Sequence, residues 1–481
     1  MDKYEIVIGL EVHTELSTKS KIFCGCSTEF GGEPNTHVCE ICSGMPGTLP
    51  SLNRQVVEFA IRTGLASNCE ITRYNKFDRK NYFYPDLPKA YQVSQLYLPI
   101  CRNGGIDIET NGQKKRIRLH EIHMEEDAGK LIHDLQEECT LIDYNRCGVP
   151  LLEIVSEPDF RSAEEVVAYL EKLKAILQYL EVSDCKMEQG SMRADINLSV
   201  RRKGTEEFGT RTEMKNMASL KAIARAIESE SKRQIKLLKS GGEVVQETRR
   251  WDDLAGNSYA MRSKENAQDY KYFPEPDLIP VQISEAHIEK IRASLPELPE
   301  EKKKRYIKEF ELPEYDADIL TGSRHLVRVF EEAAAVCGQP KDVSNWIMTD
   351  LLKLLNDSQT EPEDMRFLPE SLGKLIQMVL EQKINRSTAK KVFAKVFSDD
   401  VDPEKYVEEH GLAQVSDVGK IESAVSAVLI ENEKAVHEYL EGKEKNFQFL
   451  IGKSMAALKG KADPQLVREI LQNLLDGKRR G

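Results

Sequence analysis

Carboxylate and imidazole side chains near the start of the sequence have a spacing that could support chemistry. Glu11 and His13 are two residues apart in a predicted strand, so both point to the same face. The apolar residues Leu10 and Val12 point the opposite way, toward a core. A carboxylate and an imidazole on one face can bind a divalent cation or exchange a proton. A solvated polar strand face is the alternative interpretation.

Two further segments add charged side chains that could join this pair. Residues 123–130 (HMEEDAGK) contain three consecutive acidic residues, which repel one another unless solvated or neutralised by a cation. Mg²⁺ prefers oxygen ligands and commonly takes one or two carboxylates together with substrate phosphates. Alternation along a second predicted strand places Arg193, Asp195 and Asn197 on one face. Together the three sets favour a charged cleft over separate solvated faces.

Four cysteines have the spacing of a metal site. Cys24 and Cys26 form C-x-C, twelve residues follow, and Cys39 and Cys42 form C-x₂-C. Two close pairs at this separation can supply four thiolates to one tetrahedral Zn²⁺, and a site with all four positions filled is structural. The alternative is four independent buried thiols.

Residues 78–95 are dense in basic and aromatic side chains. Arg79, Lys80 and Lys89 could contact phosphates, and Tyr82 and its aromatic neighbours could stack on bases. The alternative is a well-packed loop that two prolines hold in shape.

Signatures of a nucleotide-binding loop or an amidase are absent from the sequence. It has no phosphate-binding P-loop, no glycine-rich dinucleotide fingerprint, no G-x-S-x-G elbow and no Ser-x-x-Lys pair in an amidase context. Glutamine hydrolysis therefore has no visible nucleophile here, and any ammonia must come from another protein.

Composition limits the class of protein. The 481 residues are 40% hydrophobic and 31% charged, which allows buried cores and argues against a disordered chain. The N-terminus lacks the pattern of a signal peptide, and no run approaches the roughly 18 apolar residues of a membrane span. We therefore expect a cytoplasmic protein with no membrane association. The net charge of −12 means that any nucleic acid must be bound through local basic patches.

Short apolar runs between turn residues predict an α+β fold whose large N-terminal domain has a mixed, mainly antiparallel sheet. Helices interrupt the strands: Ser162 and Glu165 form a capping box, and a second helix is expected from about residue 218 to residue 239. The predicted strands cover residues 4–16, 116–123, 151–155, 193–200 and 211–215.

Two breaks in composition predict three domains. Prolines and a charge run near residue 294 end the first domain, residues 1–293. Residues 294–408 form an all-helical domain, with helices expected at 325–336 and 344–355. Residues 409–481 form a small helical tail, whose last helix should begin at Asp463-Pro464 and end at Gly477.

Together these segments resemble, in order and over essentially the whole chain, the B subunit of the bacterial-type aspartyl/glutamyl-tRNA amidotransferases. The matching stretches are residues 8–13 (IGLEVH), 76–92 (KFDRKNYFYPDLPKAYQ), 123–130 (HMEEDAGK), 145–159 (NRCGVPLLEIVSEPD), 190–200 (GSMRADINLSV), 213–217 (EMKNM), 246–252 (QETRRWD), 269–278 (DYKYFPEPDL) and 460–467 (GKADPQLV).

The resemblance implies a ligase that forms a carbon–nitrogen bond during protein biosynthesis. ATP and Mg²⁺ would be used to phosphorylate the side-chain carboxylate of Asp or Glu on a misacylated tRNA. Ammonia, released from glutamine by a separate amidase (the A subunit), would then displace the phosphate. The partners implied are this amidase and the small C subunit, in a heterotrimer. The first domain would be a cradle for the active site, and the tail would contact tRNA.

The resemblance also assigns roles to individual residues. The Mg²⁺ ligands are Glu11, His13 and Glu125, to which strand facing alone adds Asp195. Glu126, Lys80 and Lys89 match the place where ammonia arrives. Arg193 and Asn197 are candidates for binding the cofactor ATP, again from strand facing. Some family members lack the four cysteines, so the structural Zn²⁺ cannot be essential to the chemistry.

Two alternatives belong to other classes. A zinc-containing nucleic-acid-binding protein without enzyme activity would explain the cysteines and the basic loop, but not the acidic residues. A small-molecule amide ligase of the glutamine-synthetase type would not need the tail. The sequence does not distinguish Asp-tRNA from Glu-tRNA as the substrate.

Overall fold

The computed structural model describes residues 3–134, 138–263, 270–413, 418–458 and 462–480. The chain forms two compact units, Met1–Pro299 and Glu300–Gly481. The first unit contains runs of strands separated by helices, and the described part of the second is helical. The predicted α+β class, with a large mixed sheet followed by helices, is confirmed. The further division of the helical half into two domains stays a prediction.

The first unit contains sixteen strands and four helices among its described residues. The strands are β1 (Tyr4–Glu15), β2 (Glu70–Ile71), β3 (Tyr74–Asn75), β4 (Asp78–Asn81), β5 (Tyr91–Ser94), β6 (Cys101–Thr110), β7 (Gln113–Glu126), β8 (Lys130–Asp134), β9 (Cys139–Asp143), β10 (Pro150–Ser156), β11 (Met192–Arg202), β12 (Thr212–Lys215), β13 (Glu247–Asp252), β14 (Asn257–Ser263), β15 (Phe273–Pro274) and β16 (Val281–Gln282). The helices are α1 (Arg54–Ala66), α2 (Ala163–Tyr179), α3 (Leu220–Lys239) and α4 (Glu285–Ala293).

Nine strands form the main sheet, in the order β14-β13-β12-β11-β1-β10-β7-β6-β2. Neighbouring strands are antiparallel except β12 and β13, which are parallel. Strand β1 lies at the middle of this sheet, between β10 and β11. Its side chains are therefore flanked by those of two other strands, which brings together residues distant in sequence.

Alternation along β1 separates a core face from a polar face. Ile8, Leu10 and Val12 are fully or almost fully buried, and they belong to a core that includes the apolar side chains of α2 and α3. Burial of each such side chain contributes roughly 1.5–3 kcal/mol. Because one face of the sheet is covered by this core, Glu11 and His13 on the opposite face are left for other interactions.

The predicted start of α2 at Ser162 and the predicted end of α3 at Lys239 are confirmed, while α3 begins at Leu220, two residues after the expected position. The Ser162 hydroxyl accepts a hydrogen bond from the backbone N–H of Glu165 at 3.2 Å, as expected for the N-cap of α2. Helix α3 ends where Gly241 adopts a φ of +81°, a conformation that favours glycine. The N–H of Gly242 then donates to the carbonyl of Leu237 at 3.0 Å, which closes the last turn.

The second unit is built from helices. They are α5 (Pro299–Phe310), α6 (Glu314–Thr321), α7 (Arg324–Cys337), α8 (Pro340–Trp346), α9 (Leu352–Ser358), α10 (Pro369–Leu380), α11 (Arg386–Asp399), α12 (Pro403–Glu409), α13 (Val418–Glu431), α14 (Glu433–Leu440), α15 (Lys445–Ala457) and α16 (Pro464–Arg480). The helix expected at 325–336 is confirmed by α7. The helix expected at 344–355 is instead interrupted by a π-helical turn, Ile347–Leu351, between α8 and α9.

The last helices share an apolar core of their own, to which Ile421, Leu450 and Leu471 contribute. Helix α16 begins at Pro464 as predicted, but the prediction that Gly477 ends it is wrong, because the helix continues to Arg480. A glycine inside a helix costs only about 1 kcal/mol, and the lysine and arginines that follow are good helix formers. Across the described ranges, no helix is both long enough and apolar enough to cross a membrane.

Candidate active site

The register of the main sheet decides which side chains meet on the polar face of β1. Glu11 lies opposite Asp195 of β11, and His13 lies opposite Arg193 on that strand and Glu153 of β10 on the other side. Strand β7, next to β10, adds Glu125. Residues from four separate segments of sequence therefore converge at the centre of the sheet.

The first acidic group consists of His13, Glu125 and Glu153, whose ligand atoms all lie within 4.8 Å of one another. Nε2 of His13 is 3.4 Å from a carboxylate oxygen of Glu125 and 3.5 Å from one of Glu153. Behind them, Nε2 of His123 lies 2.9 Å from Glu153. The Glu125 side chain is only 3% exposed, so this group is shielded from bulk water.

Burial and charge have opposite effects on these ionisable groups. Burial disfavours the charged imidazole of His13, but hydrogen bonding and attraction to Glu153, with attraction to Glu125, raise its pKa to about 9. The same balance, again led by Glu153, raises the pKa of His123 to about 10. Burial, followed by repulsion from Glu153, raises the pKa of Glu125. A nearby cation would stabilise the ionised form of a carboxylate that is buried in this way.

The second acidic group consists of Glu11, Asp195 and Glu213, also with ligand atoms within 4.8 Å of one another. The ammonium of Lys215 lies 2.5 Å from Asp195 and 3.0 Å from Glu213. The side-chain amide of Asn197 donates to Glu11 at 2.9 Å. Burial and the nearby Glu153 raise the pKa of Glu11. Lys215 therefore partly neutralises this group.

The expected Mg²⁺ ligands are thus divided between two adjacent groups. His13 and Glu125 belong to the first group, and Glu11 and Asp195 to the second, joined through the polar face of β1. The oxygen-rich donor sets suit Mg²⁺, while the imidazole of His13 is a less usual ligand for this ion. The residues present fit one or more divalent cations that neutralise the buried carboxylates.

Arg193 lies at the edge of the acidic groups and is held by Asp127. Its guanidinium donates to Asp127 at 3.1 Å, and the Arg193 side chain is 41% exposed. Arg146 donates to the other carboxylate oxygen of Asp127 at 2.6 Å, and to Glu15 at 2.6 Å. Burial opposes ionisation of Asp127, but the two arginines hold its pKa below the usual value. A fixed, half-exposed guanidinium of this kind can receive a phosphate.

Lys89 and Glu126 form a further feature at the end of β7, where Glu126 directly follows Glu125. The ammonium of Lys89 lies 2.5 Å and 2.7 Å from the two carboxylate oxygens of Glu126, and the backbone N–H of Val93 donates to one of them at 2.9 Å. Lys80 does not join this pair: its ammonium lies 5.2 Å from the ring centroid of Tyr270, and its charge favours ionisation of Glu125.

The four predicted cysteines lie together, with all their sulfur atoms within 4.8 Å of one another. The Sγ atoms of Cys39 and Cys42 are 4.0 Å apart. A hydrogen bond from the Cys24 thiol is the main cause that lowers the pKa of Cys42 to about 4, whereas burial raises the pKa of Cys26 to about 11. Four sulfur donors at this separation could hold Zn²⁺.

Comparison with known proteins identifies the family. The family model described as the GatB/GatE catalytic domain matches residues 6–289, and the one described as the GatB domain matches residues 328–475. The chain is 63% identical over 475 residues to the B subunit of the aspartyl/glutamyl-tRNA(Asn/Gln) amidotransferase of Lachnoclostridium phytofermentans, covering 99% of each chain. The chain belongs to the amidotransferase B-subunit family.

Other members of the amidotransferase B-subunit family match over the same length. The proteins of that name from Caldicellulosiruptor bescii and a Thermoanaerobacter species are 59% identical over 477 residues and 53% identical over 473 residues. Each comparison covers 98% of this chain and 99% of the relative. Because the match is full-length, the resemblance found from the sequence motifs is confirmed.

Several residues of the site were not predicted from the sequence. Glu153 is central to the first acidic group, yet its segment PLLEIVS looks like an apolar strand. Glu213 and Lys215 lie on β12, which was predicted as a strand but whose position in the sheet was unknown. The available signal was Glu153 itself, an acidic residue alternating with the buried residues Leu152 and Ile154 on a central strand.

Proposed function

We propose that this chain activates the side-chain carboxylate of Asp or Glu on misacylated tRNA and presents it to ammonia. The observation that carries the proposal is the convergence of two acidic groups and a fixed guanidinium on one face of the main sheet, with the Lys89–Glu126 pair at the end of β7. Family membership supplies the reaction class, a glutamine-dependent amidotransferase. The alternative, a zinc-containing nucleic-acid-binding protein without enzyme activity, does not explain why these acidic groups lie together.

The reaction has two steps. A carboxylate oxygen of the misacylated residue attacks the γ-phosphorus of ATP, the bond to the β-phosphate oxygen breaks, and ADP leaves. The nitrogen of ammonia then attacks the acyl carbon, inorganic phosphate leaves with the bonding electron pair, and a proton is lost from nitrogen. The first step is needed because a free carboxylate is a poor electrophile.

The acidic groups are suited to the first step. Glu11, His13, Glu125 and Asp195 would hold Mg²⁺, together with the newly found Glu153 and Glu213. Bound Mg²⁺ would neutralise phosphate charge during transfer. Arg193, fixed by Asp127, can bind a phosphate group of ATP. Asn197 donates to Glu11, so we assign it to orienting that carboxylate rather than to a contact with ATP.

The Lys89–Glu126 pair is suited to the second step. Glu126 accepts from Lys89 and from the N–H of Val93, so its carboxylate is fixed in orientation. It can accept a proton from ammonia as the carbon–nitrogen bond forms. Lys80 lies beside the first acidic group and can attract the negatively charged acyl phosphate.

We propose that this chain forms a heterotrimer with an amidase A subunit, which supplies ammonia, and with a small C subunit. The designation of the relatives as one lettered subunit of an amidotransferase and the absence of an amidase nucleophile motif support this division of labour. Because aminoacylated tRNA and ATP are cytoplasmic, we place the reaction in the cytoplasm. Zn²⁺ at the four cysteines would be structural.

We assign the tail, from about residue 409, to binding tRNA. Lys443 is 63% exposed, near Glu438, and Lys453 lies over the ring of Phe449. Lys445 begins α15 and Lys478 lies near the end of α16. Lys459 and Lys461 of the same tail lie outside the described residues, as do the side chains of Arg479 and Arg480. Basic side chains of this kind give salt-sensitive affinity for phosphates.

Glu125→Gln tests the proposal, since it removes one charge from a buried ligand and keeps the shape of the side chain. With the partner proteins present, tRNA-dependent ADP formation should fall at least about 100-fold, a loss typical of electrostatic stabilisation. Binding of misacylated tRNA should remain unchanged. Glu109→Gln is a matched control on β6, where the side chain is 49% exposed. Normal amidation by Glu125→Gln at limiting Mg²⁺ would refute the metal assignment.

A further inference from the structure

The segment that carries the four cysteines, residues 23–44 and here called the cysteine knuckle, lies against Lys89. A Cβ added at Gly44 would be 2.5 Å from the Cγ of Lys89 and 3.2 Å from its Cα. Gly44 has a φ of +71°, so the knuckle approaches Lys89 through a backbone that carries no side chain. At the other end of the knuckle, the ring centroid of Phe23 lies 5.8 Å from the Lys89 ammonium.

A second connection runs through Lys21, which is fully buried next to the knuckle. Its ammonium donates to the carbonyl of His37 at 2.7 Å and to the carbonyl of Tyr144 at 3.3 Å, and lies 3.6 Å from Sγ of Cys42. The Tyr144 hydroxyl in turn donates to the carbonyl of Pro85 at 2.9 Å. The loop of residues 85–89 is thus connected to the knuckle at both ends. Pro85 is connected through Tyr144 and Lys21, and Lys89 lies against Gly44.

These contacts restrict the conformation of Lys89, whose side chain is intrinsically flexible. A lysine stem has four rotatable bonds, and holding it in one conformation costs up to about 2 kcal/mol in entropy. The contact of Lys89 with both oxygens of Glu126 depends on the position of the lysine backbone. Gly44 and Phe23 restrict that position from the side of the knuckle.

We propose that the cysteine knuckle, folded around its metal ion, is a positioning device for Lys89 in the amidation step. It keeps the Lys89 ammonium on Glu126, so that the carboxylate of Glu126 faces incoming ammonia in one orientation. The proposal rests on the function proposed above for the Lys89–Glu126 pair. It assigns the four cysteines an effect on the use of ammonia and none on phosphorylation of the carboxylate.

Gly44→Ala tests this directly, with Gly47→Ala as its matched control. Gly47 has a φ of +85°, so alanine there causes a similar backbone strain, but nothing lies within 4 Å of the added Cβ. Both variants are measured in the assembled amidotransferase with ammonium chloride as the nitrogen source. Gly44→Ala should raise the KM for ammonia about 10-fold to 100-fold, the effect of a displacement of about 1 Å. Its zinc content and tRNA-dependent ADP formation should match those of Gly47→Ala.

A measurement on the wild-type chain complements the variants. Hydrogen exchange at residues 85–90 should accelerate when zinc is removed with a chelator, while exchange in β11 stays constant. Equal KM values for ammonia in Gly44→Ala and Gly47→Ala, or unchanged exchange at residues 85–90, would overturn the positioning role. Lys89→Met distinguishes a failure of the positioning role from a failure of the function proposed for the Lys89–Glu126 pair. If this variant leaves the KM for ammonia unchanged, the function proposed for the pair is wrong.

Discussion

Lys89→Met should destabilise the first compact unit by about 3 kcal/mol, because it leaves the Glu126 carboxylate buried without its cation. The two side chains are 12% and 3% exposed, and breaking a buried pair by removing one partner costs about 3–5 kcal/mol. The lower end applies here, since the N–H of Val93 still donates to Glu126 in the variant. Methionine retains most of the apolar stem, so little packing is lost.

The double variant Lys89→Met/Glu126→Gln removes both charges and should recover about 2 kcal/mol of that loss. A neutral amide at position 126 can still accept from Val93, and no uncompensated charge remains. With Glu126→Gln measured alone as well, the loss in the double variant minus the sum of the losses in the two single variants gives the coupling of the pair in a double-mutant cycle. Both variants should lose amidation with ammonia and keep tRNA-dependent ADP formation.

Tryptophan fluorescence can follow the unit that contains the pair. The chain has two tryptophans, of which Trp251 is 1% exposed in the first unit and Trp346 lies in the second. A Trp346→Phe background leaves Trp251 as the single reporter during guanidinium denaturation. If the loss of stability in the double variant equals the sum of the losses in Lys89→Met and Glu126→Gln, the two side chains are not coupled. If either variant amidates with ammonia at the wild-type rate, the pair does not serve the amidation step.

Three further outcomes are expected. Cys39→Ser should lose its zinc and unfold at lower denaturant concentration than the wild type; unchanged zinc by metal analysis would reject the four-cysteine site. Removal of the chain from residue 409 onward should raise the KM for misacylated tRNA and flatten the salt dependence of binding, with a smaller change in turnover; equally tight tRNA binding would give the tail another role. Divalent-cation affinity should rise up to about tenfold per pH unit until about pH 9, because His13, whose pKa is raised to about 9, must lose its proton to bind the metal. Calorimetry on His13→Asn should show a flatter dependence, and an equally steep one would exclude His13 as a ligand.

Sequence patterns within a single segment correctly predicted those features of the site that depend only on the backbone geometry of that segment. Alternation placed Glu11 and His13 on one face, and the spacing of two short cysteine pairs brought Cys24 and Cys42 together. Capping rules located Ser162 for the same reason, since a cap involves only the next few residues. These features depend on backbone geometry within one segment of the chain.

The parts that could not be predicted depend on which strands become neighbours. Alternation on β11 gave the facing of Asp195, but the partner that it meets, Lys215, is fixed by the pairing of β11 with β12. Glu153 was missed because burial of the central strand β10 makes its sequence largely apolar. Register across a sheet is set by the packing of distant segments, so a single strand does not reveal it.

The most direct test of the account follows the carboxylate oxygen of the substrate. Misacylated tRNA carrying ¹⁸O in the side-chain carboxylate of Asp or Glu is incubated with the assembled enzyme, ATP and ammonia, and the phosphate released is analysed by mass spectrometry. If the carboxylate is phosphorylated before ammonia attacks, one ¹⁸O atom passes to inorganic phosphate for each amide formed. The Glu125→Gln variant should release almost no labelled phosphate. Amide formation with only unlabelled phosphate would contradict the account.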